Sequence, residues 1–235
     1  KTSPRKGKFQ WTSMPSAGKS SRPASACSKS CCQRMSCGPA PGPLRRCCRP
    51  TWPGPTRHFV PLPFKAPFAA PILYENDIIL AIVERILGAD MAIGTYATDT
   101  PLEGSVYQDV HSDISPLFPD LDFMPPPYVI AVNFPFVDVG PENGPFEVAR
   151  GTHLLPREAA LQRLEGGEIG DVLIRDPRCL HRGTPNRTPK ARPVAVISLV
   201  RAWYRFVYIP SIPKIEYEKL SERARQLFRF IPVGN

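Results

Sequence analysis

A chain of 235 residues with 42% hydrophobic residues and 30 Pro can bury one ordinary core, and its proline load favours strands, turns and loops over a helical bundle. No apolar run reaches the roughly 18 residues that a membrane-spanning helix needs. The net charge of +9 belongs to one end: residues 1–56 hold 11 Lys and Arg and no acid, the first carboxylate is Glu75, and residues 57–235 carry 19 basic against 21 acidic side chains. Overall basicity therefore says nothing for nucleic-acid binding by the folded part, and nucleic acid is not expected as its partner.

The chain begins with Lys, as a fragment or processed chain would. Residues 1–56 are rich in Pro, Ser, Arg and Cys, without apolar periodicity, and cannot bury enough surface to offset their ordering entropy. They read as a disordered basic tail, as an organelle transit peptide, or as a segment foreign to the protein through an artefact of the sequence. Six of the seven cysteines lie here, at 27, 31, 32, 37, 47 and 48. Cys27-x3-Cys31 and Cys32-x4-Cys37 have structural-zinc spacing, but the adjacent pairs do not make a regular two-knuckle site. With Cys179 as its single thiol, the body reads as a reduced, intracellular protein, cytoplasmic unless the tail directs it to an organelle.

Order is expected from Arg57, giving a domain over 57–235. Residues 76–87 have helical periodicity, with Asn76 as N-cap and Gly88 as stop. Residues 91–98, 129–137, 170–175 and 193–200 read as strands bounded by Pro, Gly or Asn. Residues 214–229 read as one closing helix with Leu220, Ala224 and Leu227 on one face. In the strand over 129–137, Ile130, Val132, Phe134 and Phe136 share one bulky face, expected to pack on helices. Val129, Ala131, Asn133 and Pro135 share the other, where small residues leave room for a ligand.

The four histidines are His58, His111, His153 and His181. His111 and Asp113 lie two apart, on one face if the segment is extended; a distant histidine would complete a two-His-one-carboxylate set with open positions for Fe(II) chemistry. His181 follows GDVLIRDPRCLH and precedes a turn-rich loop and an apolar return strand that opens at Arg192. Read as a hairpin, this places Arg192 near His181 and pointing inward, where a buried guanidinium requires an anion. Arg187 is the rival in the loop. His153 is expected to be structural, bonding backbone in a turn; Cys179 is expected in the core, and Trp203 and Tyr204 in packing or at a substrate mouth.

Three stretches together resemble the phytanoyl-CoA dioxygenase family of Fe(II)- and 2-oxoglutarate-dependent oxygenases. They are Gln108 to Asp113 (QDVHSD), Asn143 to His153 (NGPFEVARGTH), and Gly170-Asp171 followed by His181 and Arg192. Arg150 stands where the family usually has Pro. The resemblance implies a mainly β fold with flanking helices, a double-stranded β-helix (jelly roll, cupin-like). It implies His111, Asp113 and His181 as iron ligands, Arg192 as partner of the 2-oxoglutarate C5 carboxylate, and Asn133 as a side chain facing the cosubstrate. The implied activity is hydroxylation of a small organic substrate using O2, with release of succinate and CO2. A non-catalytic binding module of this fold, a hydroxylase acting on a macromolecule with the tail as tether, and a nucleic-acid binder acting through the tail are the competing readings.

Overall fold

The computed structural model describes residues 55–118, 120, 123–154, 162–163, 171–205 and 211–234. These lie in one unit, Pro50–Asn235. The expectations for the tail, including its cysteine spacing, lie outside the described residues.

Among the described residues, ten strands and three α-helices follow in chain order: β1 Arg57–Pro61, α1 Asp77–Leu87, β2 Ala92–Pro101, β3 Val129–Pro135, β4 Phe146–Val148, β5 Gln162–Arg163, β6 Leu173–Arg175, β7 His181–Gly183, β8 Val194–Val200, β9 Ile212–Pro213, α2 Lys214–Tyr217, α3 Glu222–Leu227 and β10 Val233–Gly234. The large sheet runs β1-β2-β8-β3-β6, a small one β5-β4-β7, and β9 pairs with β10. All pairings of the first two sheets are antiparallel. This is the mainly β double-stranded β-helix with flanking helices.

The start of α1 follows from its cap: the Asn76 side chain accepts from the Ile78 and Ile79 N–H groups at 3.1 Å each, satisfying two donors that the first turn leaves orphaned. Gly88, at φ 95°, ends it. Ile79 and Leu80 of α1 line one small cavity with Ile93, Val132, Ile197 and Leu199 of the large sheet, so Val132, of the bulky parity of β3, faces that helix. Phe64, Tyr74, Tyr96 and Phe228 form an aromatic cluster, with the Phe64 and Phe228 rings 5.1 Å apart and edge-on. The opposite face carries the smaller side chains Thr95, Ala97, Ala131, Asn133, Val196 and Ser198 in register.

Two sequence expectations are corrected here. Residues 214–229 are not one helix. Ser221 accepts from the Ala224 N–H at 2.9 Å, and this N-cap restarts the chain as α3 after α2 has ended. Leu220, Ala224 and Leu227 are nevertheless buried. Nor do the strand before His181 and the strand after Arg192 form a hairpin. Strand β6 pairs with β3, β8 pairs with β2 and β3, and β7 belongs to the small sheet. The turn at Asp176–Cys179 carries the chain from one sheet to the other.

Candidate metal centre and anion site

His111 lies outside the named strands, yet its backbone is fixed to β7. Its N–H donates to the His181 carbonyl at 3.0 Å, and the His181 N–H donates back at 2.9 Å. Two residues on, the Asp113 N–H donates to the Pro177 carbonyl at 3.1 Å. Gln108 ties the same edge: the Gly183 N–H donates to its side-chain oxygen at 2.8 Å. The HSD segment is thus an added edge of the small sheet, which brings its side chains to His181.

The second motif builds the wall behind. Gly144 sits at φ 87°, and a Cβ there would lie 2.8 Å from the Thr184 carbonyl oxygen, so only glycine fits. Thr152 Oγ1 accepts from the Leu180 N–H at 2.8 Å and holds the approach to His181. Asn186 is fully buried. Its amide donates to the Pro101 carbonyl at 3.1 Å and the Lys190 carbonyl at 2.7 Å, fixing the loop that leads to Arg192. Arg150, in place of the family's Pro, is exposed and takes no part.

His111, Asp113 and His181 each offer one ligand atom, and these atoms lie within 4.8 Å of one another. Asp113 Oδ1 is 3.2 Å from His181 Nε2 and 3.6 Å from His111 Nε2. Each Nδ1 lies 2.7 Å from a backbone carbonyl, of Asp109 for His111 and of Cys179 for His181. A carbonyl only accepts, so each ring donates from Nδ1 and, when neutral, presents the bare Nε2 lone pair. Two lone pairs then face an anionic oxygen. That arrangement is repulsive unless each gap holds a proton or all three atoms share a cation. Ligands about 2.1 Å from one ion at right angles are about 3 Å apart, close to the spacing found. Two imidazoles and one carboxylate are the donor set of a non-haem iron site with open positions, and the residues fit that group.

The electrostatics agree. The Asp113 carboxylate raises the pKa of His111 through their hydrogen bond, against the opposing effect of burial. For Asp113, burial would push the pKa up, but His111, His181 and Arg175 outweigh it and hold the carboxyl well below the ordinary range. Exposure is graded, from 3% for the His181 side chain through 24% for His111 to 39% for Asp113, so the centre is closed beneath and open above.

Arg192 is buried and Arg187 exposed, which separates the two rivals. Arg192 shares strand parity with Val194, opposite Asp99 of β2. Its Nη2 is 4.0 Å from Asp99 Oδ2, its Nε is buried without a partner, and burial pushes its pKa down to about 10, with Arg57 adding to that and Asp99 opposing it. Asp99 is already taken: Arg57 Nη1 donates to it at 2.7 Å, and Arg57 Nη2 to the Thr184 carbonyl at 3.0 Å. Two buried guanidinium groups thus share one carboxylate, one anion short of balance.

Asn133 faces the interior, where its Oδ1 accepts from Arg175 Nε at 3.3 Å. Arg175 in turn donates from Nη2 to Asp113 Oδ2 at 2.8 Å. Sequence reasoning missed Arg57, Asp99 and Arg175; the available signal was a charged residue at inward parity in an apolar strand. His153 does not join the centre: its Nδ1 lies 3.4 Å from Cys179 Sγ, where a backbone partner was expected. Cys179 is a buried free thiol, as expected. Trp203 and Tyr204 pack against Tyr128, at 5.7 and 4.9 Å between ring centroids.

Solved structures share the fold. HygX from Streptomyces hygroscopicus with nickel, 2-oxoglutarate and hygromycin B bound is 19% identical at a TM-score of 0.50, over 64% of this chain and 72% of that one. With nickel and 2-oxoglutarate alone, the figures are 19%, 0.50, 67% and 74%. Other matches are covered less far. The chain spans 58% of AviO1 from Streptomyces viridochromogenes Tue57 (20% identical, TM-score 0.45, 54% of this chain) and 32% of EvdMO1 (21% identical, TM-score 0.45, 56% of this chain). The phytanoyl-CoA dioxygenase (PhyH) family model matches residues 64–194, a span that holds the three-residue centre, Arg192 and strands β2, β3 and β6 of the large sheet and ends at the first residue of β8. By that match over more than half its length, the chain belongs to the phytanoyl-CoA dioxygenase family of non-haem iron, 2-oxoglutarate-dependent oxygenases.

Proposed function

We propose that this protein is an Fe(II)- and 2-oxoglutarate-dependent dioxygenase that hydroxylates a small organic substrate, consuming O2 and 2-oxoglutarate and releasing succinate and CO2. The observation that carries the reading is the convergence of His111 Nε2, His181 Nε2 and Asp113 Oδ1 with both Nδ1 atoms already committed to carbonyls. These three residues would hold Fe(II). When bound, the iron supplies the redox chemistry by which O2 oxidises the cosubstrate and substrate.

The chain's own contribution is orientation, charge and shielding. The Asp109 and Cys179 carbonyls fix the tautomer and direction of each imidazole, as second partners of metal-bound histidines do. Arg192 takes the C5 carboxylate of 2-oxoglutarate, supplying the anion that the Arg57–Asp99–Arg192 group lacks; guanidinium–carboxylate pairing is strongest when both are desolvated and bidentate. Asn133 lines the space between. The small inner residues of β2, β3 and β8 make that space, and the open side above Asp113 admits the substrate.

The oxygenase domain is residues 57–235, and its single core thiol fits a reducing, intracellular, cytoplasmic setting. No helix among the described residues is long and apolar enough to cross a membrane.

The test needs no substrate. Fe(II) and 2-oxoglutarate are titrated anaerobically into the full chain, H181A and R192A, following the weak visible charge-transfer absorption of the chelate. The expected result is a band in the parent, none in H181A, and a band at higher 2-oxoglutarate concentration in R192A. Folded, metal-loaded parent protein without a band would overturn the reading in favour of a binding module.

A further inference from the structure

Arg175 belongs to none of the motifs above. Its strand register sets it opposite Ala131, on the inner face, and its side chain is only 8% exposed. One edge of the guanidinium is fully used: Nη2 donates to Asp113 Oδ2 at 2.8 Å and Nε to Asn133 Oδ1 at 3.3 Å. Its carbon lies 5.0 Å from the centroid of the Phe146 ring, which fixes the plane, and Nη1 is buried without a partner.

The two oxygens of Asp113 are therefore divided. Oδ1 faces both histidines, at 3.2 and 3.6 Å, and Oδ2 is held by Arg175. A carboxylate can give a metal one oxygen or two. A second oxygen would occupy a position that a chelating cosubstrate needs.

We propose that Arg175 is a positioning residue that reserves Oδ2 of Asp113, making the carboxylate a one-oxygen ligand and keeping the position beside it free for 2-oxoglutarate. The proposal rests on the metal-centre reading above. Charge gives it a distinctive sign. A cation beside a metal ion weakens the metal's binding by like-charge repulsion, so a side chain serving metal affinity alone would not be a guanidinium. The gain must lie in what the metal can still accept. Asn133, held by the same guanidinium, is placed by the same device.

The experiment measures two affinities separately in the metal-free full chain, R175M and R175K: Fe(II) first, then 2-oxoglutarate on the Fe(II)-loaded protein, both anaerobically. Thermal melting of the metal-free proteins checks folding. R175M is expected to bind Fe(II) at least as tightly as the parent, because a like charge beside the metal is removed, and 2-oxoglutarate more weakly by about tenfold or more, equivalent to about 1.4 kcal/mol or more. R175K, which keeps a charged donor, is expected to fall between them, and it carries the test if R175M does not fold.

Unchanged 2-oxoglutarate affinity in folded R175M would overturn the proposal. So would a parallel loss of both affinities, which marks general damage, or R175K behaving no better than R175M. A parent that binds neither Fe(II) nor 2-oxoglutarate would instead overturn the metal-centre reading itself, and with it this one.

Discussion

Arg192 carries a stability cost in the empty protein that the cosubstrate should relieve. Folding lowers its pKa from the ordinary guanidinium value to about 10, chiefly through burial. At about 1.4 kcal/mol per pH unit, the charged form is disfavoured by about 3 kcal/mol. The sign follows from the depressed folded value of a base: the penalty is present throughout neutral pH and disappears only as pH rises beyond that value. Replacing Arg192 with Met keeps an apolar stem of similar length and removes the charge. Asp99 keeps Arg57 at 2.7 Å, so no buried carboxylate is stranded; what is lost is the weak attraction across 4.0 Å. The net expectation is that metal-free R192M is more stable by about 1–3 kcal/mol. For a chain of this size, at about 2–4 °C per kcal/mol, its melting temperature rises by about 2–12 °C.

The same substitution should destroy cosubstrate binding. Truncating one partner of a buried charge pair costs about 2–5 kcal/mol, so 2-oxoglutarate affinity should fall by a factor of about 30 or more. Calorimetric melts of metal-free protein and 2-oxoglutarate titration of the Fe(II)-loaded protein give the two numbers. An R192M protein that melts below the parent and binds 2-oxoglutarate as well as the parent would refute the reasoning, because the guanidinium would then be serving the fold.

Three further outcomes follow. His111 has a raised pKa in the metal-free protein, so its stabilising contribution is full below the unfolded value near 6.5 and is lost as pH rises through the folded one; Asp113, with a depressed pKa, loses its contribution only on strong acidification. Metal must displace the His111 proton, so metal affinity should keep rising through neutral pH while metal-free stability falls, and melts with and without Ni(II) from about pH 5.5 to about pH 8.5 should diverge. Gly144→Ala forces a side chain onto φ 87° and a Cβ to 2.8 Å from the Thr184 carbonyl oxygen; a loss of about 1–3 kcal/mol in chemical unfolding, with weaker metal binding through the displaced segment after His181, is expected. Asn76→Ala removes the two-donor cap of α1 and should cost about 1 kcal/mol without altering 2-oxoglutarate affinity.

The elements legible in the sequence are those whose determinants are local. Asn76 and Gly88 bracket α1 because a cap needs only the next three residues, and the alternation in β3 separates an α1-facing parity from an open one because strand parity has period two. The helix expected over 214–229 failed for a local reason of the opposite kind: periodicity ran on through Ser221, but a serine hydroxyl that can cap a new turn competes with continuation. The supposed hairpin before and after His181 failed for a non-local reason. Adjacency in sequence favours pairing, but the chain crosses between sheets at Asp176–Cys179, and only the partner strands β2, β3 and β4 decide where β6, β7 and β8 lie.

The site divides the same way. His111 and Asp113 are close in sequence, and the distant His181 became legible only because the motif order supplied it. The anion-handling residues required pairings no local pattern encodes. Arg57 reaches Thr184 from β1, Asp99 of β2 stands between two guanidinium groups, one from β1 and one leading into β8, and Arg175 meets Asp113 across the interior. Each had one property visible beforehand: it places a charge in or beside an otherwise apolar strand of a β-rich core. Such a charge must find a partner or be paid for in stability. In this chain, acids and bases on the inner faces do not balance one to one, since Arg57 and Arg192 share Asp99. That imbalance lies beside a centre where two imidazole lone pairs face a carboxylate oxygen, itself unstable without a cation. A deficit of negative charge at one end, and at the other a carboxylate that draws a proton onto His111 when no metal is there, together make the complement of a metal ion chelated by a dicarboxylate.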